Sequence, residues 1–250
     1  MKKTLIKDTS IILLKAGVAA IPYLGGPINS IWSDLQGQQV QEKIERLYSI
    51  TKSIQTDMVF IETKVNKAFT SRSDFADVVE TTLRHIINER KEEKRIMFKN
   101  ILLNSMIAKE VDFDKTEKFC SLLANMGTME LIVLAVFYSP EEYNKNNGEP
   151  IKHLNPETPG IIRMSSVRKR VHIIDVLKEL FSKESYSNDD IIDAVHFLES
   201  NRLAIPQLIT VTLETNGHPI DILKDRLTPK GKEFATYLKL TPAGEVCVLK

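Results

Sequence analysis

The strongest constraint on the fold is a set of apolar residues that recurs at intervals of three and four over positions 44–68. Its members are Ile44, Leu47, Ile54, Met58, Ile61, Val65 and Ala68, with Thr51 in the gap. These intervals place side chains on one face of an α-helix and are typical of a helix packed against antiparallel neighbours. The spacing therefore predicts one long helix through this region, with its apolar face buried in a helical bundle.

Helical spacing continues on the C-terminal side of this run. After a polar break, Ser73 is placed to cap a further helix. Its inward residues are Phe75, Val78, Val79, Leu83, Ile86 and Ile87. The charged run NERKEEKR is compatible with this helix continuing into the next apolar stretch, and Asp112 or Asp114 is placed to start another. We predict a bundle of about five or six helices over residues 1–138.

The character of the chain changes after this bundle. Residues 139–160 are polar, contain four prolines and two glycines, and show no apolar periodicity. Such a composition is typical of a long loop between domains. We therefore predict a linker over 139–160 and a second domain over 161–250.

The second domain has a different pattern of elements. The segments SSVRKRVHIIDVLKELF and SNDDIIDAVHFLESNRL are amphipathic helices, the latter capped by Ser187 or Asn188. LITVTLE alternates like a strand, TNGH is a hairpin signal, PIDILKDRL is its candidate partner, and LTPKGKEFATYLKL closes the chain as a helix. Together these features predict a mainly α protein, in which an N-terminal helical bundle precedes a C-terminal winged-helix-like α+β domain.

Residues 16–32, AGVAAIPYLGGPINSIW, form an apolar and uncharged stretch that prolines and glycines interrupt. Charged residues on its N-terminal side leave no clean secretory signal, and a fixed single span needs about 20 uninterrupted apolar residues. The stretch is therefore either the buried corner of a helical hairpin, which we favour, or a hairpin that swings out into a bilayer. The candidate membrane-active residues are Val18, Ile21, Leu24, Gly25 and Gly26.

Net charge and cysteine content limit the binding partners and the cellular compartment that we expect. A formal net charge of +1 gives no global attraction to nucleic acid or anionic membranes. Cys120 and Cys247 are too few for a disulfide framework or a zinc cluster, and a reducing cytosol suits them. We expect a cytoplasmic protein, peripheral at the inner face of the membrane if the hairpin is released.

The usual catalytic motifs do not occur in this sequence. It contains no GxxxxGK[ST], GxGxxG, GxSxG or HExxH pattern. The best metal-like set is His85, Glu89 and Glu92 on one helical face, for which we favour a solvated face with ion pairs. We therefore expect a protein without enzymatic activity, cofactor or metal, and an enzyme with an unrecognised site is the third class that we consider.

The charge of the second helix of the winged-helix-like domain argues against insertion of this helix into the DNA major groove. Residues 188–203 carry several acids and one basic side chain, Arg202, whereas duplex affinity rests mainly on lysine and arginine. Candidate contacts to nucleic acid or phosphate lie elsewhere. They are Arg163, Arg168, Lys169, Arg170, Lys224 and Arg226. We favour a protein partner or self-association, with a DNA-binding transcriptional regulator as the alternative.

Two segments carry a resemblance to a known family. EEKRIMFKNILLNSM (92–106), followed by FCSLLANMGTMELIVLAVF, and LTPKGKEFATYL (227–238) resemble bacterial proteins of the abortive-infection alpha type. The resemblance implies a bacterial protein of phage defence or of a mobile element, and it brings no catalytic residues. The expected function is that of a non-enzymatic interaction protein with a candidate membrane-active hairpin.

Overall fold

The computed structural model of the chain describes residues 23–38, 41–110, 112–148, 151, 169–182, 186–209, 212–215 and 219–239. These residues are mainly helical, which confirms the predicted class. They divide into two compact units. Unit 1 holds residues 23–125 together with 237–239, and unit 2 holds residues 126–236.

Unit 1 is a helical bundle. Its described helices are α1 (Gly25–Gln38), α2 (Gln41–Ile61), α3 (Lys67–Thr70), α4 (Asp74–Asn88), α5 (Glu92–Ile107) and α6 (Phe113–Asn125), with a 3₁₀ turn at Glu62–Lys64. Helix α4 packs against α1, α2, α5 and α6. The core therefore lies around α4 and around α5, whose residues are buried on almost every side.

The predicted long helix is confirmed as far as Ile61. Leu47, Ile54 and Met58 are buried along one face of α2. The chain then leaves the helix, and Asn66 starts the separate helix α3 by accepting a hydrogen bond from the Ala68 N–H at 3.0 Å. A side chain that bonds the nearby backbone competes with continuation of a helix. The predicted continuous helix beyond Ile61 was therefore wrong, although Val65 is buried as predicted and Ala68 is exposed.

Helix α4 does not run on through the charged segment that follows it. Glu89 is in an extended conformation, and its Oε1 accepts hydrogen bonds from the backbone N–H groups of Arg90 and Lys91 at 2.7 and 2.9 Å. This local acceptor satisfies the donors that open the next turn and separates α4 from α5.

Unit 2 begins with the apolar helix α7 (Thr128–Tyr138), which packs against α8 (Pro140–Asn146) and α10 (Asn188–Ser200). Its other described elements are β1 (Lys169–His172), α9 (Ile173–Leu180), β2 (Thr212–Thr215), a 3₁₀ helix (Pro219–Leu223) and α11 (Pro229–Lys239). Helix α8 opens the segment predicted to be a linker, and its Pro140, Tyr143 and Asn144 are buried. Residues 140–146 of the predicted linker are thus helical and packed. Of the remaining residues of 139–160, the structure describes only Ser139, Asn147, Gly148 and Ile151.

The predicted winged-helix arrangement is not supported. The proposed return strand begins as the 3₁₀ helix Pro219–Leu223, because Pro219 has no N–H for a strand ladder. Strand β2 instead pairs antiparallel with β1. The helix predicted to span SSVRKRVHIIDVLKELF begins only at Ile173, because the residues before it form β1.

The predicted capping residues have different outcomes. Asp112 caps α6 by accepting a hydrogen bond from the Lys115 N–H at 2.8 Å, and Ser187 forms a reciprocal capping box at the start of α10. Both predictions are confirmed. Ser73 precedes α4 but directs its hydroxyl to Asp74 and makes no capping bond.

None of the described helices alone has the length and hydropathy that a membrane span requires, whereas one bent pair of consecutive helices, α6 and α7, has both when taken together.

Candidate functional site

The described part of the candidate membrane-active stretch belongs to the core of unit 1. Leu24 is fully buried, and the inward residues of α1 that follow it are also buried. Gly25 starts α1, and Gly26 is exposed with open space where a Cβ would lie. Val18 and Ile21 lie outside the described residues.

The candidate basic contacts are only partly described. Arg163 and Arg168 lie outside the described residues. Lys169 and Arg170 open β1, where the backbone of Arg170 is in register with Glu214. Their placement puts two of the six residues on one short strand.

Two further basic candidates are held by contacts within unit 2. The Lys224 Nζ lies 2.5 Å from Glu141 Oε1 and 2.7 Å from Asp221 Oδ1, and hydrogen bonds to these carboxylates raise the pKa of Lys224. The Arg226 Nε donates to the Ile222 carbonyl at 2.7 Å, and burial lowers the pKa of Arg226. A phosphate would have to compete with these partners.

The His85 and Glu89 pair forms neither a metal site nor a solvated face. The ring of His85 stacks on Phe98 with centroids 5.1 Å apart, and burial, followed by the charge of Lys94, lowers the pKa of His85. Lys94 Nζ lies 3.5 Å from Glu89 Oε2 and donates to the Ala124 carbonyl at 3.1 Å. Within the described ranges, no group of three or more metal-ligating side chains is positioned to hold an ion.

A buried ion pair in unit 1 is a feature that sequence reasoning missed. Lys99 on α5 and Asp57 on α2 are 5% and 9% exposed, and Lys99 Nζ lies 2.5 Å from Asp57 Oδ2 and 2.9 Å from Ser53 Oγ. A lysine between Phe98 and Ile101 was the only signal of this pair in the sequence. The pair of the Asp57 carboxylate and the Lys99 ammonium holds α5 against α2. Because this carboxylate is paired, it is not available as a base to take a proton from the Ser53 hydroxyl.

Two asparagines on α5 bind the end of α11. Asn100 Nδ2 donates to the Leu238 carbonyl at 2.7 Å, and Asn104 Nδ2 donates to the Tyr237 carbonyl at 3.0 Å. The last carbonyls of a helix lack partners within the helix. These amides supply them, and so hold residues 237–239 in unit 1.

Cys120 is an internal reporter of the folding of unit 1. Its Sγ lies 3.5 Å from Thr82 Oγ1, and burial raises the pKa of the thiol to about 11 from its ordinary 9.0. The unfolded chain loses this proton at lower pH than the folded chain does, so this thiol makes stability fall as the pH rises from 9.0 towards about 11.

We expect the native Cys120 thiol to resist alkylation by iodoacetamide at about pH 8, because the thiolate is the nucleophile and this thiol is buried and protonated. Peptide mass spectrometry measures the modification, with denatured protein as the control that labels fully. Rapid labelling of Cys120 in the folded protein would contradict the described packing.

The remaining candidate is the outward face of α2. Tyr48, Val59 and Phe60 are 48%, 74% and 54% exposed. At 100° per residue, Tyr48 and Val59 lie about 20° apart on the helix surface, the exposed Lys52 and Thr56 lie within about 80° of Tyr48, and Phe60 lies about 120° from Tyr48 at the other edge of the exposed face. We call these five residues the α2 stripe. The apolar intervals of three and four residues identified the buried face of α2. The apolar residues that do not fit these intervals were the sequence signal for its exposed face.

Comparison with protein-family models, with curated proteins and with solved structures finds no match for this chain. The α2 stripe exposes three large apolar side chains, those of Tyr48, Val59 and Phe60. Exposed apolar patches with aromatic residues are typical of surfaces that contact other proteins.

Proposed function

We propose that the chain is a non-enzymatic interaction protein of bacterial phage defence, of the abortive-infection kind, and that it binds protein through the α2 stripe. The exposure of Val59 and Phe60 at adjacent positions, with Tyr48 on the same stripe, carries the proposal. Burying one such side chain is worth about 1.5–3 kcal/mol. A protein partner recovers this free energy, whereas the isolated unit does not.

The defence setting rests on the sequence resemblance of residues 92–106, 119–137 and 227–238. In the structure these segments are α5, the end of α6 with most of α7, and nearly all of α11, and their residues make packing contacts and capping bonds. These contacts support a role of the resembling segments in packing of the fold. We place the contact with a partner on the α2 stripe. The acidic face of α10 offers unit 2 a further protein contact, for which Asp189 and Asp193 are exposed.

We expect expression of the wild-type chain in a bacterial host to lower the efficiency of phage plating, and the double variant V59E/F60E to lose this protection. Two carboxylates on the α2 stripe would have to be desolvated in the contact, which is unfavourable without a paired charge. Plaque counts on matched lawns measure the effect.

The control is Thr81→Glu, which places one new carboxylate on the exposed side of α4. Soluble protein level and melting temperature are compared for each variant. Protection by V59E/F60E equal to that by the wild type, at equal protein level, would contradict the proposed function.

The N-terminal hairpin enters this proposal as a membrane-active element, and of its candidate residues the described Leu24 is buried in unit 1. Its release would expose Leu24 and the buried face of α1, so a charge at Leu24 tests the stability of the fold rather than membrane activity. The informative variant is Val18→Asp, with Thr81→Asp, the same charge at an exposed position of α4 outside the apolar stretch, as the control. We expect the wild-type protein, once its hairpin is released, to cause dye release from anionic vesicles. This dye release is expected to be lost in the first variant and kept in the second.

Persistence of dye release in Val18→Asp would remove the hairpin from the proposal. The alternative of a DNA-binding regulator is less well supported, because carboxylates of unit 2 already hold Lys224 and a carbonyl holds Arg226. Salt-dependent binding to duplex DNA that Arg170→Gln weakens would favour that alternative.

A further inference from the structure

We propose that Asn147, at the C-terminal end of α8, is a deamidation site that is closed in the folded chain, and that its modification makes opening of this helix end permanent. The site belongs to unit 2, whereas the α2 stripe belongs to unit 1, and its chemistry requires no protein partner. Gly148 follows Asn147 in the sequence. Because glycine has no Cβ, its backbone nitrogen is the least hindered one for attack by the chain on an asparagine side chain.

The reaction consumes only water. The backbone nitrogen of Gly148 loses its proton and attacks Cγ of the Asn147 side chain. A bond forms between this nitrogen and Cγ, the bond between Cγ and Nδ2 breaks, and ammonia leaves a succinimide ring. Water then opens the ring at either carbonyl carbon, which leaves aspartate or isoaspartate at position 147. No oxidant or reductant takes part.

The folded chain holds both reacting groups in hydrogen bonds. Asn147 Nδ2, which has to leave, donates to the Tyr143 carbonyl at 2.8 Å. The Gly148 N–H, which supplies the nucleophile, donates to the Lys145 carbonyl at 3.2 Å. This nitrogen has to release its acceptor before it loses its proton and attacks. The reaction therefore requires that the last turn of α8 opens first.

The backbone conformation also prevents ring closure. The ring contains Cβ of Asn147 and the nitrogen of Gly148, so these two atoms have to be eclipsed about the Cα–C bond. With ψ at 17°, the Gly148 nitrogen instead eclipses the backbone nitrogen of Asn147. Rotation of ψ is opposed further along the chain, where Asn144 Nδ2 donates to the Ile151 carbonyl at 2.9 Å and Asn144 Oδ1 accepts from the Ile151 N–H at 3.1 Å.

Both products prevent the same helix end from forming again. Aspartate at position 147 has no side-chain N–H for the Tyr143 carbonyl, and its carboxylate lies at the negative end of the helix dipole. Isoaspartate adds a methylene group to the main chain, which displaces Gly148 from the Lys145 carbonyl. Each modified chain thus keeps the helix end open after the event that opened it.

The chain contains matched asparagines for the test. Asn125 and Asn201 lie at the ends of α6 and α10, and the Nδ2 of each donates to the carbonyl four residues earlier, at 2.9 and 2.8 Å. Met126 and Arg202 follow them. Their side chains hinder attack by the backbone nitrogen, so these asparagines share the hydrogen bond of Asn147 and lack its reactive neighbour.

Peptide mass spectrometry of the full chain, incubated at neutral pH folded and in guanidinium chloride, tests the site. In the unfolded chain we expect Asn147 to deamidate well ahead of Asn125 and Asn201. Asn216, which also precedes a glycine and lies outside the described residues, is the positive control in the unfolded chain. In the folded chain we expect deamidation of Asn147 to be at least about tenfold slower than in the unfolded chain, because opening of the helix end costs free energy.

Hydrogen exchange of the peptide 143–151 tests the second part of the proposal. We expect Asn147→Asp to speed its amide exchange about threefold, because the helix end loses a capping bond and gains an unfavourable charge. Asn125→Asp makes the same chemical change at the end of α6 and is expected to leave exchange in this peptide unchanged.

Three results would contradict the proposal. Equal deamidation rates of Asn147 in the folded and the unfolded chain would overturn the closed state. Deamidation of Asn147 no faster than that of Asn125 in the unfolded chain would overturn the site itself. Unchanged exchange in Asn147→Asp would overturn the permanence of the opening.

Discussion

Replacing Gly231 with alanine is expected to destabilise unit 2 by about 3 kcal/mol or more, because the new methyl group has no space. A Cβ built at this position lies 1.9 Å from the Leu203 carbonyl oxygen and 2.8 Å from the carbonyl carbon. Both atoms belong to the backbone, so rotation of a side chain does not relieve the clash. Helix α11 has to move away from the chain segment that it packs against.

That movement is opposed by hydrogen bonds at the start of α11. The Thr228 N–H donates to the Leu203 carbonyl at 2.9 Å, and the Thr228 hydroxyl donates to the Arg202 carbonyl at 2.7 Å. The Gly231 N–H in turn donates to the Thr228 hydroxyl at 3.0 Å. Relief of the clash therefore breaks bonds that fix the helix N-terminus, which adds to the loss.

Thermal unfolding followed by circular dichroism measures this effect. The control is Gly26→Ala in α1, where a Cβ meets no atom within 4 Å and alanine lowers the entropy of the unfolded chain. We expect the control to melt at or slightly above the temperature of the wild type. A Gly231→Ala protein that melts within about 2 °C of the wild type would show that α11 does not approach Leu203 so closely.

The second large effect is expected from the buried ion pair of unit 1. Lys99→Met leaves the carboxylate of Asp57, which is 9% exposed, without its cation. Removal of one partner from a buried pair costs about 3–5 kcal/mol, because the other charge stays desolvated. Ser53, whose hydroxyl accepts from Lys99, loses a donor as well.

The double variant K99M/D57L separates this cause from a simple loss of packing. Replacing both charges with apolar side chains removes the desolvation penalty, and we expect most of the lost stability to return. Urea unfolding measures the free energies, with equal m-values as the check that the same structure unfolds. A double variant as unstable as Lys99→Met would contradict the assignment of the loss to the unpaired carboxylate.

An exposed ion pair in the same unit is the control for this measurement. Arg84 Nη2 lies 2.8 Å from Asp34 Oδ2 and 2.6 Å from Glu80 Oε1, and all three side chains are about one third to one half exposed. Such pairs contribute about 0–1 kcal/mol, so Arg84→Met is expected to have a small effect beside that of Lys99→Met.

Helical periodicity was sufficient for the class of the fold and for the buried face of α2, because packing of one helix face is a local pattern. The ends of the helices depended on single side chains. Asn66 and Glu89 terminate the predicted continuous helices by bonding the backbone beside them, and nothing in the apolar spacing distinguishes these residues from other polar positions.

Unit 2 shows where local patterns are insufficient. The segment that contains β2 was recognised as a strand, but its partner β1 lies about forty residues earlier, at Lys169–His172. The hairpin signal favoured the nearer partner that begins at Pro219, which forms a 3₁₀ helix. Pairing between distant segments depends on tertiary packing, which a single sequence does not display.

The candidate site was partly accessible from the sequence. Tyr48, Val59 and Phe60 fall outside the apolar spacing of α2, yet their exposure depends on the faces that α1, α4 and α5 leave uncovered. The pair of Lys99 and Asp57 spans 42 residues, and only the packing of α5 on α2 brings the two charges together.

The central claim is that protein covers the α2 stripe when the chain is at work. Hydroxyl-radical footprinting in bacteria that express the chain, read by mass spectrometry, tests it at the side chains themselves. The same chain as dilute purified protein is the reference. Modification of Tyr48 and Phe60 in the cell well below that in the dilute protein is the predicted result. Unchanged modification of Tyr48 and Phe60 in the cell would contradict the claim.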